Sequence, residues 1–349
     1  MRRVKRVRLG DVEISNVVFG TMAHGPARVV DDADARVRVM HAAFDAGIDA
    51  VDTAPLYELG RAEEIVGRAV RGHDVRVLTK VGLRWDASHG DLLFAFPDRS
   101  GRTVEVRKNS RPESIREEVE ASLRRIGVDV LDVVQIHHHD PHVPVAESIG
   151  ALLELRAEGK LRSIGVCNFG VDALKAAKAA LGDVPLASVQ DRYNLLERGI
   201  EQTVRPWARN HGARILAYSP LAEGALVGVR RLAGDDPRQD SALFSRKNYR
   251  RVGEKLDTMV RPVAHRHGVT VAQIAIAWVL AEADAAIVGA STERQAKENA
   301  EAMWIGLSEP QRNRVGATFS GFVVQPAQPA SRAERVARKV QRRLSALLD

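Results

Sequence analysis

Cysteine, aromatic side chains and long apolar runs are all scarce in this sequence of 349 residues. The single cysteine, Cys167, excludes an internal disulfide and is typical of a protein from a reducing compartment. The apolar residues lie in short runs, so no segment is a candidate for a membrane span. The basic start, MRRVKRVRLG, leads into DVEISNVVFG without the apolar region or the cleavage site of a signal peptide. We therefore expect a soluble protein in the cytoplasm, with no membrane partner.

Basic residues exceed acidic ones, with 52 lysines and arginines against 45 aspartates and glutamates. The resulting net charge of +7 raises the question of nucleic acid, yet the arginines are spread along the chain between apolar positions. No nucleic-acid motif accompanies them. The pattern favours solvated helix faces over a polyanion-binding surface, and a positive field would also attract an anionic cofactor.

Short β-branched runs recur along the chain, and each is followed by a segment with the apolar spacing of a helix. Asp31 or Asp32 can cap the first helix, Gly47 can end it, and Thr270 can begin a later one. Eight such alternations predict parallel strands with crossover helices, and at this length a closed (β/α)8 TIM barrel fits better than an open doubly wound sheet. No Gly-x-Gly-x-x-Gly fingerprint follows the first strand, which also counts against the open sheet. The predicted strands lie near Asn16–Gly20, Ile48–Asp52, Val75–Lys80, Leu131–His137, Arg162–Val166, Leu186–Gln190, Arg214–Tyr218 and Ala285–Gly289.

We expect residues 1–349 to form one domain, with the barrel core at about residues 15–305. Residues 1–14, with the polar turn Gly10-Asp11, predict a small hairpin that closes the bottom of the barrel. A C-terminal loop and helical tail follow at about residues 320–349. The amphipathic helix predicted in this tail would lie on the barrel through Val336, Val340 and Leu344.

Two connections, residues 81–112 and 222–250, are longer than the others. In a barrel, long loops after strands lie on the catalytic face and shape the substrate site. The first of them contains three aromatic residues, Trp85, Phe94 and Phe96.

Polar residues at the carboxyl ends of the predicted strands are the candidates for chemistry, because that face of a barrel holds the active site. Asp52, Lys80 and His137 end strands, and Tyr57 follows Asp52 closely. Reduction of a carbonyl needs an acid that protonates the oxygen, and a free tyrosine, with a pKa of about 10, is a weak one. We expect the Lys80 ammonium to lower the pKa of Tyr57, and Asp52 to hold Lys80 in place. A neutral His137 could donate a hydrogen bond that orients the carbonyl oxygen.

The segments AGIDAVDTAPLYELGRAEEIVGRAV, VLTKVG and DVVQIHHHD strongly resemble the aldo-keto reductases, and the resemblance covers roughly residues 5–320. It implies a barrel enzyme that reduces an aldehyde or ketone, a sugar or keto-sugar included, to an alcohol with NADP(H). Tyr57 would be the general acid, Lys80 and Asp52 its support, and His137 the substrate-orienting residue. Trp85 and His138 are further substrate candidates.

The resemblance extends to the cofactor segments. In GKLRSIGVCNFG, Asn168 matches a carboxamide ligand, whereas Cys167 stands where the family has serine; a thiol is a poorer hydrogen-bonding group. Gln190 matches the other carboxamide ligand, and Tyr218 matches the ring that stacks on nicotinamide. The segment IVGASTERQAKENAEAM is similar to the 2′-phosphate and adenine site, for which Arg246 is the candidate charge partner. The full cofactor set is Gly20, Thr21, Asp52, Cys167, Asn168, Gln190, Tyr218, Ser219, Leu221, Arg246, Gly289, Ser291, Gln295, Glu298 and Asn299.

Three alternatives accompany this interpretation. The run His137-His138-His139-Asp140 suggests a metal, but consecutive strand residues alternate faces and cannot all reach one ion, so we expect none. A barrel lyase could use Lys80 as a Schiff base, since it also needs a lysine at a strand end. A redox-sensing module could bind NADPH in the same barrel and turn it over slowly.

Overall fold

Eight parallel strands close into a barrel in the computed structural model, which describes residues 5–22, 32–98, 101–228, 238 and 241–326. In chain order the strands are β1 (Arg6–Leu9), β2 (Val12–Ser15), β3 (Val17–Gly20), β4 (Ala50–Asp52), β5 (Arg76–Val81), β6 (Leu83–Arg84), β7 (Leu92–Pro97), β8 (Thr103–Lys108), β9 (Leu131–Ile136), β10 (Leu161–Cys167), β11 (Ser188–Arg192), β12 (Arg214–Tyr218) and β13 (Ala285–Val288). Around the barrel the order is β3-β4-β5-β9-β10-β11-β12-β13, with β13 pairing again to β3. The predicted (β/α)8 barrel is confirmed, and the predicted strands overlap the observed ones.

Helices follow the barrel strands, and their ends obey ordinary capping chemistry. The Asp32 carboxylate accepts from the backbone N–H of Ala35, while the alternative cap Asp31 lies outside the described residues. Thr270 and Gln273 form a capping box, as a helix beginning at Thr270 requires. Within the described ranges, no helix is long and apolar enough to cross a membrane. The helices are α1 (Ala33–Asp45), α2 (Arg61–Val70), α3 (Pro112–Ile126), α4 (Val145–Ala157), α5 (Val171–Leu181), α6 (Val204–Asn210), α7 (Arg246–Lys255), α8 (Arg261–His267), α9 (Val271–Glu282), α10 (Glu293–Glu301) and α11 (Glu309–Gly316).

The predicted hairpin is present as antiparallel β1 and β2, with Leu9 opposite Val12 across the turn. Its apolar side chains are buried against inward-facing residues of the barrel strands, such as Val18, Leu78 and Leu216. The hairpin therefore closes the amino-terminal end of the barrel and leaves the carboxyl ends of the strands as the open face.

The insert at residues 81–112 is more ordered than a long loop, because it folds into the antiparallel sheet β6-β8-β7. The middle strand, β8, alternates polar and apolar residues, and its two valines, Val104 and Val106, are buried on one face of the sheet. The sheet packs on Leu56 through Leu83 and Val106. The other long segment, 222–250, is described in part and contains the start of α7. The helix predicted in the tail lies outside the described residues.

Gly67 of α2 lies against the backbone at the end of α3. A Cβ on Gly67 would lie 2.1 Å from the carbonyl oxygen of Ile126, whereas a Cβ on Gly150 in α4 would meet no atom within 4 Å. We expect Gly67→Ala to lower the free energy of unfolding by about 1–3 kcal/mol, because α2 and α3 must separate. Gly150→Ala should raise it by about 0.5–1 kcal/mol through helix propensity. Urea titrations would measure both, and a stable Gly67→Ala variant would contradict this packing.

Candidate active site

Lys80 is the centre of the polar cluster at the open face. Its side chain is fully buried, and its Nζ donates to Asp52 Oδ1 at 2.5 Å, to the Thr53 carbonyl at 2.9 Å and to Tyr57 Oη at 3.2 Å. β4 and β5 are neighbours in the barrel, which brings Asp52 and Lys80 together from residues far apart in the sequence. The structure thus assembles the carboxylate, ammonium and phenol that the sequence analysis singled out.

The charges in this cluster correct one expectation. Burial raises the pKa of Tyr57 to about 12, and this effect outweighs the opposing effect of Lys80. The expectation that Lys80 lowers the pKa of the phenol below its ordinary value is therefore wrong, because desolvation disfavours the phenolate more than one ammonium favours it. Burial also acts against the charge on Lys80, but Asp52, Tyr57 and Cys167 together outweigh it, and the pKa of Lys80 lies above its ordinary value. The phenol thus holds its proton beside a fixed cation.

His137 follows β9 and lies beside Tyr57, with the two rings edge to face and their centroids 6.0 Å apart. Its backbone N–H donates to the Val81 carbonyl at 2.8 Å, which fixes the residue against β5. Burial, and then the charge of Lys80, hold the pKa of His137 well below its ordinary value. The imidazole is therefore neutral near pH 7, as the sequence analysis expected.

The next histidines diverge from His137. His138 stacks on His137 with centroids 5.6 Å apart, whereas His139 turns edge-on to Phe169. Asp140 accepts from the backbone N–H of Ser110 instead of pointing at the imidazoles. Within the described residues, no three histidine, cysteine or carboxylate side chains are placed to hold a metal ion.

A second polar string continues from Asp52 across the barrel. Gln190 Nε2 donates to Asp52 Oδ2 at 2.8 Å, and the Cys167 thiol lies 3.8 Å from Gln190 Oε1. Asn168 Nδ2 lies 3.1 Å from Cys167 Sγ, and Tyr218 Oη donates to Asn168 Oδ1 at 2.8 Å. Two carboxamides, a thiol and a phenol therefore form one hydrogen-bonded wall next to the Lys80 cluster.

Cys167 is buried and holds its proton. Burial raises the pKa of its thiol above the ordinary value, and this outweighs the opposing effect of Lys80. A protonated, desolvated thiol is a poor nucleophile. Its contacts with Asn168 and Gln190 make it part of the wall that would receive a carboxamide.

A cleft of about 1660 Å³ extends from Tyr57 and His137 to the start of α10. Gly289 follows β13, and a Cβ there would lie 3.3 Å from the Gly20 carbonyl oxygen, so the backbone after β13 passes close to the end of β3. Beyond it, Gln295 Oε1 accepts from the Ser291 N–H at 2.9 Å. The predicted cofactor residues on the cleft wall are Gly20, Thr21, Asp52, Cys167, Asn168, Gln190, Tyr218, Ser219, Leu221, Gly289, Ser291, Gln295, Glu298 and Asn299.

Besides the buried Lys80, two predicted site residues are not on this wall. Arg246 is exposed at the first residue of α7, and the arginines Arg238 and Arg261 line the cleft instead. Trp85 packs against the cluster around Leu56, so Phe94 is the aromatic residue of the insert that reaches the cleft. The spacing of a loop in sequence does not show which of its side chains turn inwards.

The sequence analysis also missed the turn after Tyr57. Glu58 and Leu59 adopt φ of 54° and 55°, in the left-handed region where each non-glycine residue costs about 1–2 kcal/mol. The buried Glu58 carboxylate pairs with Arg36, another residue of the cleft wall. The sequence gives no local signal for the turn, because neither glutamate nor leucine favours positive φ.

Comparison with known proteins agrees with this geometry. The family model described as "Aldo/keto reductase family" matches residues 16–318. The chain is 34% identical over 321 residues to the NADH-specific methylglyoxal reductase of Escherichia coli strain K12, covering 88% of this chain and 95% of that protein. It is 30% identical to aldo-keto reductase YhdN of Bacillus subtilis strain 168, covering 91% and 94%. Among solved structures, glycerol dehydrogenase AKR11B4 from Gluconobacter oxydans matches with a TM-score of 0.81 and 34% identity, over 93% of this chain and 98% of that one.

The chain therefore belongs to the aldo/keto reductase family of oxidoreductases. This family uses a nicotinamide cofactor. The resemblance noted from the catalytic and cofactor segments is confirmed.

One further group next to the cluster titrates in an accessible range. Glu118 on α3 accepts from the Gly82 N–H at 2.9 Å, two residues after Lys80. Burial raises the pKa of Glu118 from 4.5 to about 8, against the smaller lowering effects of that N–H and Arg84. The folded protein therefore keeps this proton at pH values where the unfolded chain has lost it.

Stability should consequently fall as pH rises from about 4.5 to about 8, and this contribution should level off above pH 8. Glu118→Gln removes the titration and keeps an acceptor for Gly82, so above pH 8 we expect the variant to exceed wild type by a few kcal/mol in free energy of unfolding. Urea titrations between pH 5 and pH 9 measure the difference. Glu117→Gln is the control, because Glu117 is exposed on the same helix. An unchanged pH dependence in Glu118→Gln would refute the assignment.

Proposed function

We propose that this protein reduces a small aldehyde or ketone to an alcohol with NADPH, using Tyr57 as the general acid. The observation that supports this most is the protonated Tyr57 held by the buried Lys80 ammonium, with neutral His137 beside it at one end of a long cleft. An acid and a neutral hydrogen-bond donor at one point are what protonation of a carbonyl oxygen requires.

The roles of the individual side chains follow from their contacts. Tyr57 gives its proton to the developing alkoxide, and Lys80 stabilises the phenolate that remains. Asp52 keeps the ammonium in place through its 2.5 Å contact. His137 donates a hydrogen bond to the same oxygen and orients the carbonyl carbon.

The cleft wall fits a nicotinamide dinucleotide. Asn168 and Gln190 present the amides that a carboxamide group can pair with, and the Tyr218 ring lies on the cleft wall beside them. When bound, the cofactor supplies the hydride. Stacking on Tyr218 would shield one face of the nicotinamide ring and direct the other towards Tyr57.

Schiff-base chemistry on Lys80 is poorly supported. The amine is fully buried, donates three hydrogen bonds and is not part of the cleft wall. Its pKa lies above the ordinary value, whereas an amine nucleophile needs a lowered one. The same residues would also serve a slow NADPH sensor, and the rate of a single turnover separates that alternative from an enzyme.

Two relatives bear names that point to small oxygenated substrates, methylglyoxal and glycerol. Near Tyr57 the cleft is walled by Leu56, Leu83 and Phe94, with His138 as a further polar group. Burial holds the pKa of His138 at about 4, so it is neutral. We therefore propose that the substrate is an uncharged carbonyl compound of modest size, sugars included. We also propose a cytoplasmic enzyme, which the single cysteine supports.

The preference for NADPH rests on the far end of the cleft. Ser291 and Gln295 lie at the start of α10, and Arg238 and Arg261 are residues of the same cleft wall, with the Arg261 guanidinium paired to Asp257. Hydroxyl, amide and guanidinium groups suit a 2′-phosphate. The E. coli relative is named as specific for NADH, so cofactor choice must be measured directly.

Tyr57→Phe should lower the rate of carbonyl reduction by about 10²–10⁴-fold, because the acid is removed. NADPH affinity should stay within a factor of about two, since the phenol acts on the substrate oxygen. Stopped-flow reduction of methylglyoxal or an aryl aldehyde, with fluorescence titration of NADPH, measures both. Tyr193→Phe is the control, because this buried hydroxyl bonds to Glu201 away from the cleft. A Tyr57→Phe enzyme that loses only cofactor binding would overturn the role.

Cofactor choice is tested by the ratio of Kd for NADH to Kd for NADPH. We expect a ratio above about 10 in wild type, since one charge-assisted hydrogen bond contributes about 1.5–3 kcal/mol. Arg261→Ala should reduce the ratio about three- to tenfold, because only NADPH carries the phosphate. Arg246→Ala should leave it unchanged, since that side chain lies off the cleft wall. Equal affinities in wild type would exclude a formed phosphate pocket.

A further inference from the structure

Tyr57 begins a turn of unusual backbone conformation. The next three residues all have positive φ: 54° at Glu58, 55° at Leu59 and 96° at Gly60. Glycine adopts this region freely, whereas glutamate and leucine do not. Two such residues in succession persist only where the surrounding structure holds them.

An ion pair from α1 to Glu58 connects this turn to the rest of the protein. The Glu58 side chain is only 2% exposed, and its Oε1 lies 2.6 Å from Arg36 Nη1. Arg36 Nη2 donates to the Thr21 carbonyl at 3.1 Å. The N–H and hydroxyl of Thr21 in turn donate to the Asp52 carbonyl at 3.0 and 3.1 Å. Arg36 therefore ties the turn after Tyr57 to the strand end that carries Asp52, the partner of Lys80.

The remaining contacts of the turn do not replace this tie. The Leu59 N–H donates to the Leu56 carbonyl at 3.2 Å, a bond within the turn itself. At its far end, Arg125 packs against Gly60, where a Cβ would lie 3.0 Å from the arginine side chain. The Arg125 contact fixes Gly60, and the Arg61 N–H donates to the Tyr57 and Glu58 carbonyls. The Glu58 side chain is held from outside the turn by Arg36.

We propose that Arg36 is a positioning residue for carbonyl reduction: through the Glu58 carboxylate it holds the left-handed turn that places the Tyr57 hydroxyl on Lys80. Arg36 acts through the backbone and need not touch the substrate. The inference rests on the proposed role of Tyr57. If the proposal is right, the Arg36 side chain is dispensable when residue 58 can adopt the left-handed conformation without it.

Glycine at position 58 supplies that freedom. We expect Arg36→Met to lower kcat for carbonyl reduction at least tenfold, with KM and NADPH Kd within twofold, because a small displacement of the acid affects the reaction step most. Glu58→Gly should keep kcat within about threefold. The double variant Arg36→Met/Glu58→Gly should match Glu58→Gly. Arg38→Met on the exposed face of α1 is the control and should leave kcat unchanged.

The double variant Arg36→Met/Glu58→Gln, in which both residues are neutral, distinguishes a positioning role of Arg36 from a purely structural one. This variant contains no unpaired buried charge, so it should fold even where Arg36→Met does not. It lacks the glycine freedom, and we expect its kcat to stay at least tenfold below that of Arg36→Met/Glu58→Gly. Equal kcat in the two double variants would show that Arg36 only neutralises Glu58, and would overturn the proposal.

If the proposed function is wrong, wild type itself will not reduce carbonyl compounds, and this outcome differs from a failure of the Arg36 proposal alone. In that event, crystal structures of the two double variants decide the role of Arg36. The proposal requires the Tyr57 hydroxyl to move away from Lys80 in Arg36→Met/Glu58→Gln and to stay in place in Arg36→Met/Glu58→Gly. An unmoved hydroxyl in both variants would overturn it.

Discussion

The ion pair between Lys80 and Asp52 is the contact on which the site depends. Desolvating two charges is costly, and a buried pair is tolerated only where further hydrogen bonds satisfy both partners. Here the ammonium is shared among Asp52, the Thr53 carbonyl and Tyr57, while the second Asp52 oxygen accepts from Gln190. The loss of either charge would leave the other one buried without a partner.

This arrangement explains how the buried Lys80 ammonium can lie beside a protonated Tyr57 and a neutral His137. The Lys80 charge disfavours a proton on His137 and would stabilise a phenolate on Tyr57. Burial nevertheless keeps Tyr57 protonated, because desolvation raises the pKa of the phenol more than Lys80 lowers it. The barrel makes the geometry possible, because neighbouring parallel strands end at one face and the hairpin closes the other end.

Much of this could be predicted from the sequence, for physical reasons. Strands buried on both faces appear as β-branched runs, so the eight strands and the residues at their ends could be read directly. Asp52, Lys80 and His137 were placed at one face because parallel strands present their carboxyl ends together. The carboxamide residues Asn168 and Gln190 and the residues of α10 are proposed from family resemblance, and they line one cleft in the structure.

The remainder depends on three-dimensional surroundings that local pattern does not encode. The pKa of Tyr57 reflects how deeply the ring is desolvated, which the neighbouring ammonium alone did not reveal. Arg246 and Trp85 lie in long connections whose side-chain directions are set by packing. The pair of Arg36 and Glu58 joins a helix to a turn 22 residues later, and its reason is a backbone conformation invisible in the sequence.

The claim that this cleft performs hydride transfer is tested most directly by following the hydrogen itself. Wild-type protein would be given NADPH carrying deuterium on one defined face of nicotinamide C4, together with an aldehyde in ordinary water, for a single turnover. The experiment is done once with each C4 face labelled. NADPH labelled on one face should transfer its deuterium to the carbonyl carbon and give one configuration of the alcohol, and NADPH labelled on the other face should transfer none. Deuterium lost to solvent, or transfer from both faces, would contradict the account.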